Sequence, residues 1–165
     1  MKTNKLLNPL SLFFVGLFLG ALSRLFDMYY PNLGEIFSQM SVWILSGTLI
    51  AIYSPTKKAA MRNILPFCIG MLLTYYATAM LTQGVYGWTF IIGWTIFAFL
   101  SPVMAYFAWM VKQRDLFSKV IVAGIVLVSI LSSVLLFDRL RLYDLVIDGM
   151  LIYFVFFKRI DRHES

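Results

Sequence analysis

Residues 88–111 read WTFIIGWTIFAFLSPVMAYFAWMV, a run of 24 residues without a charged side chain. About 20 mostly apolar residues are enough for an α-helix to cross the hydrocarbon core of a bilayer. This run therefore predicts a membrane-spanning helix, and it sets the expectation for the rest of the chain.

The overall composition agrees with a membrane protein. Of the 165 residues, 61% are hydrophobic and 13% are charged, and the mean hydropathy is +0.82. Soluble domains carry about 25% charged residues, so lipid is the natural solvent for this surface. At this length we expect a single integral membrane domain over residues 1–165, with the lipid bilayer as its surroundings.

Five further apolar runs join the first and together predict an all-α bundle of six transmembrane helices. The predicted helices cover residues 9–26, 37–53, 64–81, 88–111, 117–137 and 142–157. Continuous rather than alternating runs favour helices over a β-barrel.

Pro9 and Pro66 are expected in first turns, where a missing N–H costs little. Pro102 should kink the fourth helix, and the carbonyl that it frees needs a partner such as Ser101.

The first run has a second interpretation. Lys2 and Lys5 precede an apolar stretch from Leu10 to Leu22, and small residues lie at its end, which is typical of a secretory signal peptide. We expect a retained transmembrane helix instead, because the segment extends past Leu22 if Arg24 is tolerated.

The loop charges predict an orientation. With six helices, 11 of the 14 basic residues fall on the side of both termini, and only Arg24, Arg139 and Arg141 fall on the other. Basic loops prefer the cytoplasm, so we expect cytoplasmic N- and C-termini, with net charges of +8 inside and −2 outside. The overall charge of +6 is then a signal of topology, and we expect no nucleic-acid partner.

The charged residues of the predicted outer side are the main site candidates, because ionisable groups at membrane depth mark either a site or a structural ion pair. On the first helix, Arg24 and Asp27 share a face with Gly16 and Gly20, whose GxxxG spacing lets two helices approach closely. Glu35, Asp138 and Arg139 lie in the outer loops.

The last predicted helix carries the other half of this cluster. Arg141, Asp144 and Asp148 lie on one face, with Asp148 about one turn deeper than Asp144. We expect the first and last helices to be neighbours and Arg24 to pair with Asp144 or Asp148. Three interpretations stay open: an ion-pair clamp, the floor of an outward-facing pocket, and a proton relay at Asp148.

Polar residues near the outer end of the third predicted helix could line the same pocket. They are Tyr75, Tyr76, Thr78 and Gln83. Hydroxyl groups in such helices often bond their own backbone or a neighbouring helix instead.

The sequence argues against an enzyme. It has one cysteine, Cys68, and one histidine, His163, and it lacks the motifs of the common hydrolases and nucleotide-binding proteins. Asp144 and Asp148 could share a cation, although metal sites usually use more than two such ligands. We therefore expect no catalytic residue, no metal site and no cofactor.

Several loose features recur between residues 16 and 109: the segment Gly16–Asp27, Trp43 ahead of Gly47, the loop Lys57–Arg62, Gly70-Met71 with Tyr75-Tyr76, and Ser101-Pro102. Together they resemble a family of small bacterial integral membrane proteins of unknown function. That resemblance implies a multi-pass protein of the bacterial plasma membrane and carries no activity with it.

In size, helix number and orientation, the chain also resembles the substrate-binding subunits of energy-coupling-factor vitamin transporters. This resemblance implies a substrate site that opens outward. It also implies contact between small residues of the first helix and a partner subunit, with Gly16 and Gly20 in place of the alanine pair of that family.

We therefore expect a membrane component that binds or transports a small solute or a lipid head group in an outward-facing polar pocket. The alternative is a membrane scaffold or accessory subunit, without transport activity, whose outer charges are purely structural. Either function predicts a membrane-protein partner or a second copy of the chain.

Overall fold

The computed structural model describes residues 7–37, 39–82, 87–113, 115–137, 140–158 and 160. These ranges are helical and contain no β-strand. Seven α-helices follow one another: α1 Pro9–Tyr29, α2 Pro31–Phe37, α3 Met40–Tyr53, α4 Lys57–Leu81, α5 Trp88–Met110, α6 Leu116–Phe137 and α7 Leu142–Ile152. A π-helical turn, Tyr153–Phe157, continues α7.

Four of the helices are long and apolar enough to cross a membrane. They are α1, α4, residues Ile91–Met110 of α5 and residues Leu116–Leu135 of α6. The helix α3 is also apolar but has only 14 residues. The prediction of an all-helical membrane protein is thus confirmed in this coarser form.

Two helix starts differ from the sequence prediction. Pro31 begins α2, a separate helix of seven residues that lies mainly between the first two predicted segments and was not predicted. The helix α4 begins at Lys57 because the Thr56 hydroxyl accepts a hydrogen bond from the Ala59 N–H, at 3.1 Å. Pro66 therefore lies inside α4, and its expected first-turn position is wrong, as is the loop expected at residues 57–62.

The helices α1 and α4 pack side by side and run parallel. At one end Asn63 Nδ2 donates to the Leu7 carbonyl at 3.2 Å, and further along Thr74 Oγ1 donates to the Leu17 carbonyl at 2.7 Å. The contacts advance in the same direction on both helices. Since α3 lies between them in the chain, α3 must run in the opposite direction.

Glycine makes the approach of these two helices possible. A methyl group on Gly16 would overlap the Phe67 carbonyl, and one on Gly20 would overlap the Met71 carbonyl. Gly70 of α4 meets the Phe13 carbonyl in the same way. The small-residue face therefore brings the two backbones into direct contact.

Ser101 compensates for the proline inside α5. Pro102 has no N–H to bond the carbonyl four residues earlier, which belongs to Ala98. The Ser101 hydroxyl donates to that carbonyl at 2.6 Å. The predicted partner is confirmed, while the kink itself stays a prediction.

Contacts between helix termini define one end of the bundle. Asn63 Nδ2 and Trp109 Nε1 both donate to Ser54, at 3.2 and 3.0 Å, and Lys112 Nζ donates to the carbonyls of Val155 and Lys158 at 2.8 Å. The start of α4 and the ends of α3, α5 and the π-helical turn thus meet there. We call this the basic end; its described cations are Lys57, Lys58, Arg62, Lys112, Lys119 and Lys158.

The opposite end of the bundle collects the remaining charges. Tyr75 of α4 bonds Asp27 of α1, and Arg141 at the start of α7 bonds Glu35 of α2. We call this the acidic end; its described charges are Arg24, Asp27, Glu35, Arg141 and Asp144, with Asp148 one turn deeper.

Candidate functional site

The first charged group at the acidic end joins α1 to α4. Asp27 Oδ2 lies 4.0 Å from Arg24 Nη1, one turn away on α1, and it accepts a hydrogen bond from Tyr75 at 2.9 Å. Gly34 of α2 packs so closely on Asp27 that a methyl group there would overlap the Asp27 backbone. Three helices therefore hold this carboxylate, a geometry suited to a structural clamp.

The second charged group joins α2 to α7. The Arg141 guanidinium bonds both the Glu35 carboxylate and the Tyr143 hydroxyl. The hydrogen bond to Tyr143, together with the charges of Glu35 and Asp144, raises the pKa of Arg141 above its ordinary value. Arg141 thus stays charged, and its contacts with Glu35 fix the start of α7 against α2.

The third group, Asp144 and Asp148, is buried. Asp144 Oδ2 accepts from the Arg141 N–H at 3.0 Å, which caps α7, and Asp148 Oδ1 accepts from the Ser129 hydroxyl of α6 at 2.5 Å. Both residues are at least 97% buried. Their other oxygens, Asp144 Oδ1 and Asp148 Oδ2, have no hydrogen-bond partner in the described part of the chain.

The predicted pairing of Arg24 with Asp144 or Asp148 is wrong. Arg24 lies on Asp27, while Asp148 lies on Ser129. The physical reason is the helix order: α1 packs mainly against α4, and α7 packs mainly against α3 and α6. The first and last predicted helices are therefore not close neighbours, and the outer charges form separate groups.

The predicted pocket-lining residues are only partly brought together. Tyr75 contacts Asp27, and Tyr76 packs edge-on against Tyr75 with ring centroids 5.4 Å apart. The Thr78 carbonyl accepts from Thr82 within α4. Gln83 lies outside the described residues, as do Asp138 and Arg139.

A cavity of about 290 Å³ lies between α3, α4, α5 and α6. Its walls are aromatic and aliphatic, and include Trp43, Phe67, Phe97, Met104, Phe107 and Ile125. None of Arg24, Asp144 and Asp148 lines it. The predicted polar pocket is thus not this cavity, which is apolar.

Two glycines and one tryptophan shape the cavity. Gly47 of α3 and Gly124 of α6 leave space in its walls, and a methyl group on Gly124 would meet nothing within 4 Å. Trp43 stacks at a tilt on Trp94, with centroids 5.4 Å apart. The buried Trp43 Nε1–H has no acceptor among the described residues.

Sequence reasoning missed this cavity because its lining comes from four helices, a few residues from each. The available signal was weak: Trp43 and Trp94 lie deeper than the interfacial aromatic residues of a membrane protein.

Within the described residues, no group of three or more His, Cys, Asp or Glu side chains comes together. Neither a scan against protein-family models nor searches of curated proteins and of solved structures found a match to this chain.

Proposed function

We propose that this chain is a multi-pass protein of the bacterial plasma membrane that binds a lipid-like small molecule in the cavity between α3, α4, α5 and α6. The cavity carries this proposal. Its volume lies near the lower limit of the range for small-ligand pockets, about 300–1,000 Å³. A buried water needs two to four polar partners, and these walls favour hydrocarbon instead.

The lining of the cavity narrows the ligand class. Its few polar side chains are those of Thr48, Cys68 and Ser101, and its other walls are mainly aromatic and aliphatic. The ligand is therefore mainly hydrocarbon, as in a lipid acyl chain.

Six membrane spans with cytoplasmic termini belong to the same proposal. The parallel register of α1 and α4 supports them, since α3 must return the chain between these helices. The collection of six described cations at the basic end supports a cytoplasmic location for that end. The helix α3 is only about 21 Å long, which is short for a membrane span. Its residues Ala51 and Ile52 are buried within the bundle, so neighbouring helices rather than lipid surround this part of α3.

Filling the cavity tests ligand binding. Gly124→Phe adds a ring at an exposed position that lines the cavity and has free space around it, so we expect the purified variant to lose the lipid that the wild-type protein retains. Native mass spectrometry, followed by chromatography of extracted lipids, measures the retained molecule.

Gly93→Phe is the matched control. Gly93 is exposed on α5, has the same free space around it and does not line the cavity. It should retain the ligand at the wild-type level. Equal retention by the two variants, or no retained lipid in the wild-type protein, would contradict the proposal.

A membrane scaffold is the second candidate, favoured by the acidic end. There Arg24 and Arg141 each lie against a carboxylate of the same chain, which is what a structural role requires. A scaffold predicts that a protein partner co-purifies equally with wild type and Gly124→Phe.

A further inference from the structure

The cavity between α3, α4, α5 and α6 has a closed side and an open side. On α3 and α4 its lining residues are buried or half-buried, and Phe67 at this back wall is only 2% exposed. Its exposed lining residues all belong to α5 and α6: Met104, Phe107 and Val128 are 41%, 40% and 51% exposed, and Gly124 is also exposed. The cavity therefore opens between α5 and α6, at a mouth bordered by these four residues.

On α5 the cavity wall continues into the outer surface of the bundle. Ser101 and Ala105 are buried and belong to the inner part of this wall. Met104 and Phe107 follow Leu100 at spacings of four and seven residues, so these three residues share one helix face. Leu100 is exposed and does not line the cavity. The lining of α5 therefore passes from the core to the outside without interruption.

The helix α6 shows the same change on its side of the mouth. Ile125 is partly buried and packs against the apolar core. Gly124 and Val128 precede Leu131 by seven and three residues, so they lie on its face of the helix. Leu131 is exposed and does not line the cavity. The mouth thus has one edge on each helix, and both edges are continuous with exposed apolar surface.

The depth of the mouth decides what lies in front of it. The helix α5 ends at Met110 and α6 begins at Leu116, both at the basic end, where the Ser118 hydroxyl donates to the Met110 carbonyl at 2.8 Å. At about 1.5 Å per residue, Phe107 lies about 5 Å and Val128 about 18 Å along these helices from that end. The hydrocarbon core of a bilayer is about 30 Å thick. The mouth therefore faces acyl chains rather than water.

We propose that one acyl chain of a bilayer phospholipid enters the cavity sideways, through the mouth between α5 and α6. This inference rests on the proposed binding of a lipid-like ligand, and it adds the source of that ligand and its route. The mouth carries no polar side chain, and it joins the apolar cavity directly to the surface that faces lipid. A phospholipid can then insert one chain and leave its other chain and its head group in the bilayer.

Brominated lipids test this entry, because bromine quenches tryptophan fluorescence only at short range. Trp43 lines the cavity, and it becomes the only reporter after the changes Trp88→Phe, Trp94→Phe and Trp109→Phe. This single-tryptophan protein is reconstituted in bilayers of phosphatidylcholine whose acyl chains carry bromine. We expect strong quenching of Trp43 relative to the same protein in unbrominated phosphatidylcholine.

Two adjacent positions of α6 give a matched pair of variants in this background. Val128→Phe narrows the mouth and should remove most of the quenching. Leu127→Phe changes an exposed residue that does not line the cavity, and it should keep the quenching unchanged. Equal quenching in the two variants overturns the inference, and so does an unquenched Trp43 before either change. A second protein chain seated in the mouth would give the latter result, because it keeps the brominated chains away.

Photocrosslinking of the wild-type protein covers the case in which the single-tryptophan protein does not fold. Phosphatidylcholine with a diazirine on one acyl chain is activated in the same kind of bilayer, and peptide mass spectrometry locates the adducts. We expect adducts on Phe67, at the back wall of the cavity, as well as on the exposed Leu127. Adducts on Leu127 with none on Phe67 contradict the inference.

The outcomes separate this inference from the proposed function. Suppose that the wild-type protein retains a lipid that Gly124→Phe loses, while Trp43 stays unquenched and Phe67 carries no adduct. The cavity then binds its ligand by another route, and only the sideways entry is wrong. If the wild-type protein also retains no lipid, both proposals are wrong.

Discussion

At the scale of single residues, the glycines of α1 matter because they have no side chain. Gly16 and Gly20 leave the backbone of α4 in direct contact with α1, where the carbonyls of Phe67 and Met71 occupy the space of a side chain. The GxxxG spacing indicated a packing face, and the structure identifies α4 as the helix that uses it. The partner subunit implied by the transporter resemblance would need this face, which α4 of the same chain already covers.

Gly16→Ala tests this contact. The added methyl group forces the two helices apart, and we expect a loss of about 1–3 kcal/mol in the free energy of unfolding, as for other overpacked sites. Denaturation of the purified protein in mixed micelles measures the loss.

Gly93→Ala serves as the comparison, because a methyl group there meets nothing within 4 Å. It should be neutral or slightly stabilising, since alanine favours a helix more than glycine does. A loss of stability equal to that of Gly16→Ala would show that the α1–α4 contact is not the cause of the effect at Gly16.

At the scale of elements, α5 keeps its helix through Pro102 because Ser101 bonds the carbonyl of Ala98. Proline inside a helix removes one backbone hydrogen bond. The replacement hydrogen bond comes from Ser101, the residue next to Pro102, so these two residues together keep α5 helical. This interaction was predictable, because both partners lie within four residues of sequence.

Ser101→Ala should lower the free energy of unfolding by about 1–2 kcal/mol, because the buried Ala98 carbonyl is left without a partner. In the background of Pro102→Ala the backbone N–H returns, and the same Ser101→Ala change should then cost much less. A thermodynamic double-mutant cycle measures this difference. Equal effects in the two backgrounds would mean that Ser101 does not act through Ala98.

Local patterns predicted the helices well and the contacts between them poorly. Apolar run length located most of the described helices within a few residues, but it did not predict α2, and Thr56 begins α4 earlier than expected. The predicted pairing of Arg24 with Asp144 or Asp148 rests on the similar depth of these residues in the membrane. Depth does not specify which helices are adjacent, and here α3 and α6, not α1, surround α7. The apolar cavity depends on the same long-range order, and so it could not be derived from any single segment.

At the scale of the whole molecule, the charged residues and the helix termini define the same two ends of the bundle. The basic end holds the ends of α3, α5 and the π-helical turn, and the acidic end holds the start of α7. The segment formed by α7 and its π-helical turn therefore extends from one end of the bundle to the other.

Single cysteines test the six-span arrangement in whole cells. In a Cys68→Ser background, Lys58→Cys should react with a membrane-impermeant thiol reagent only after the cells are opened, because it lies at the basic end. Leu142→Cys, exposed at the start of α7, should react in intact cells. Labelling of both positions from the same side would overturn the six-span topology.

The parallel contact of α1 with α4 also sets an order of events during synthesis. Consecutive membrane segments emerge in alternating directions, so a parallel partner is never the next segment to be made. Roughly fifty residues separate the matched positions, and at about 5–20 residues per second the ribosome needs several seconds to make them. During that interval the glycine face of α1 is in the bilayer without its partner. The contact between α1 and α4 can therefore form only after α4 has left the insertion machinery.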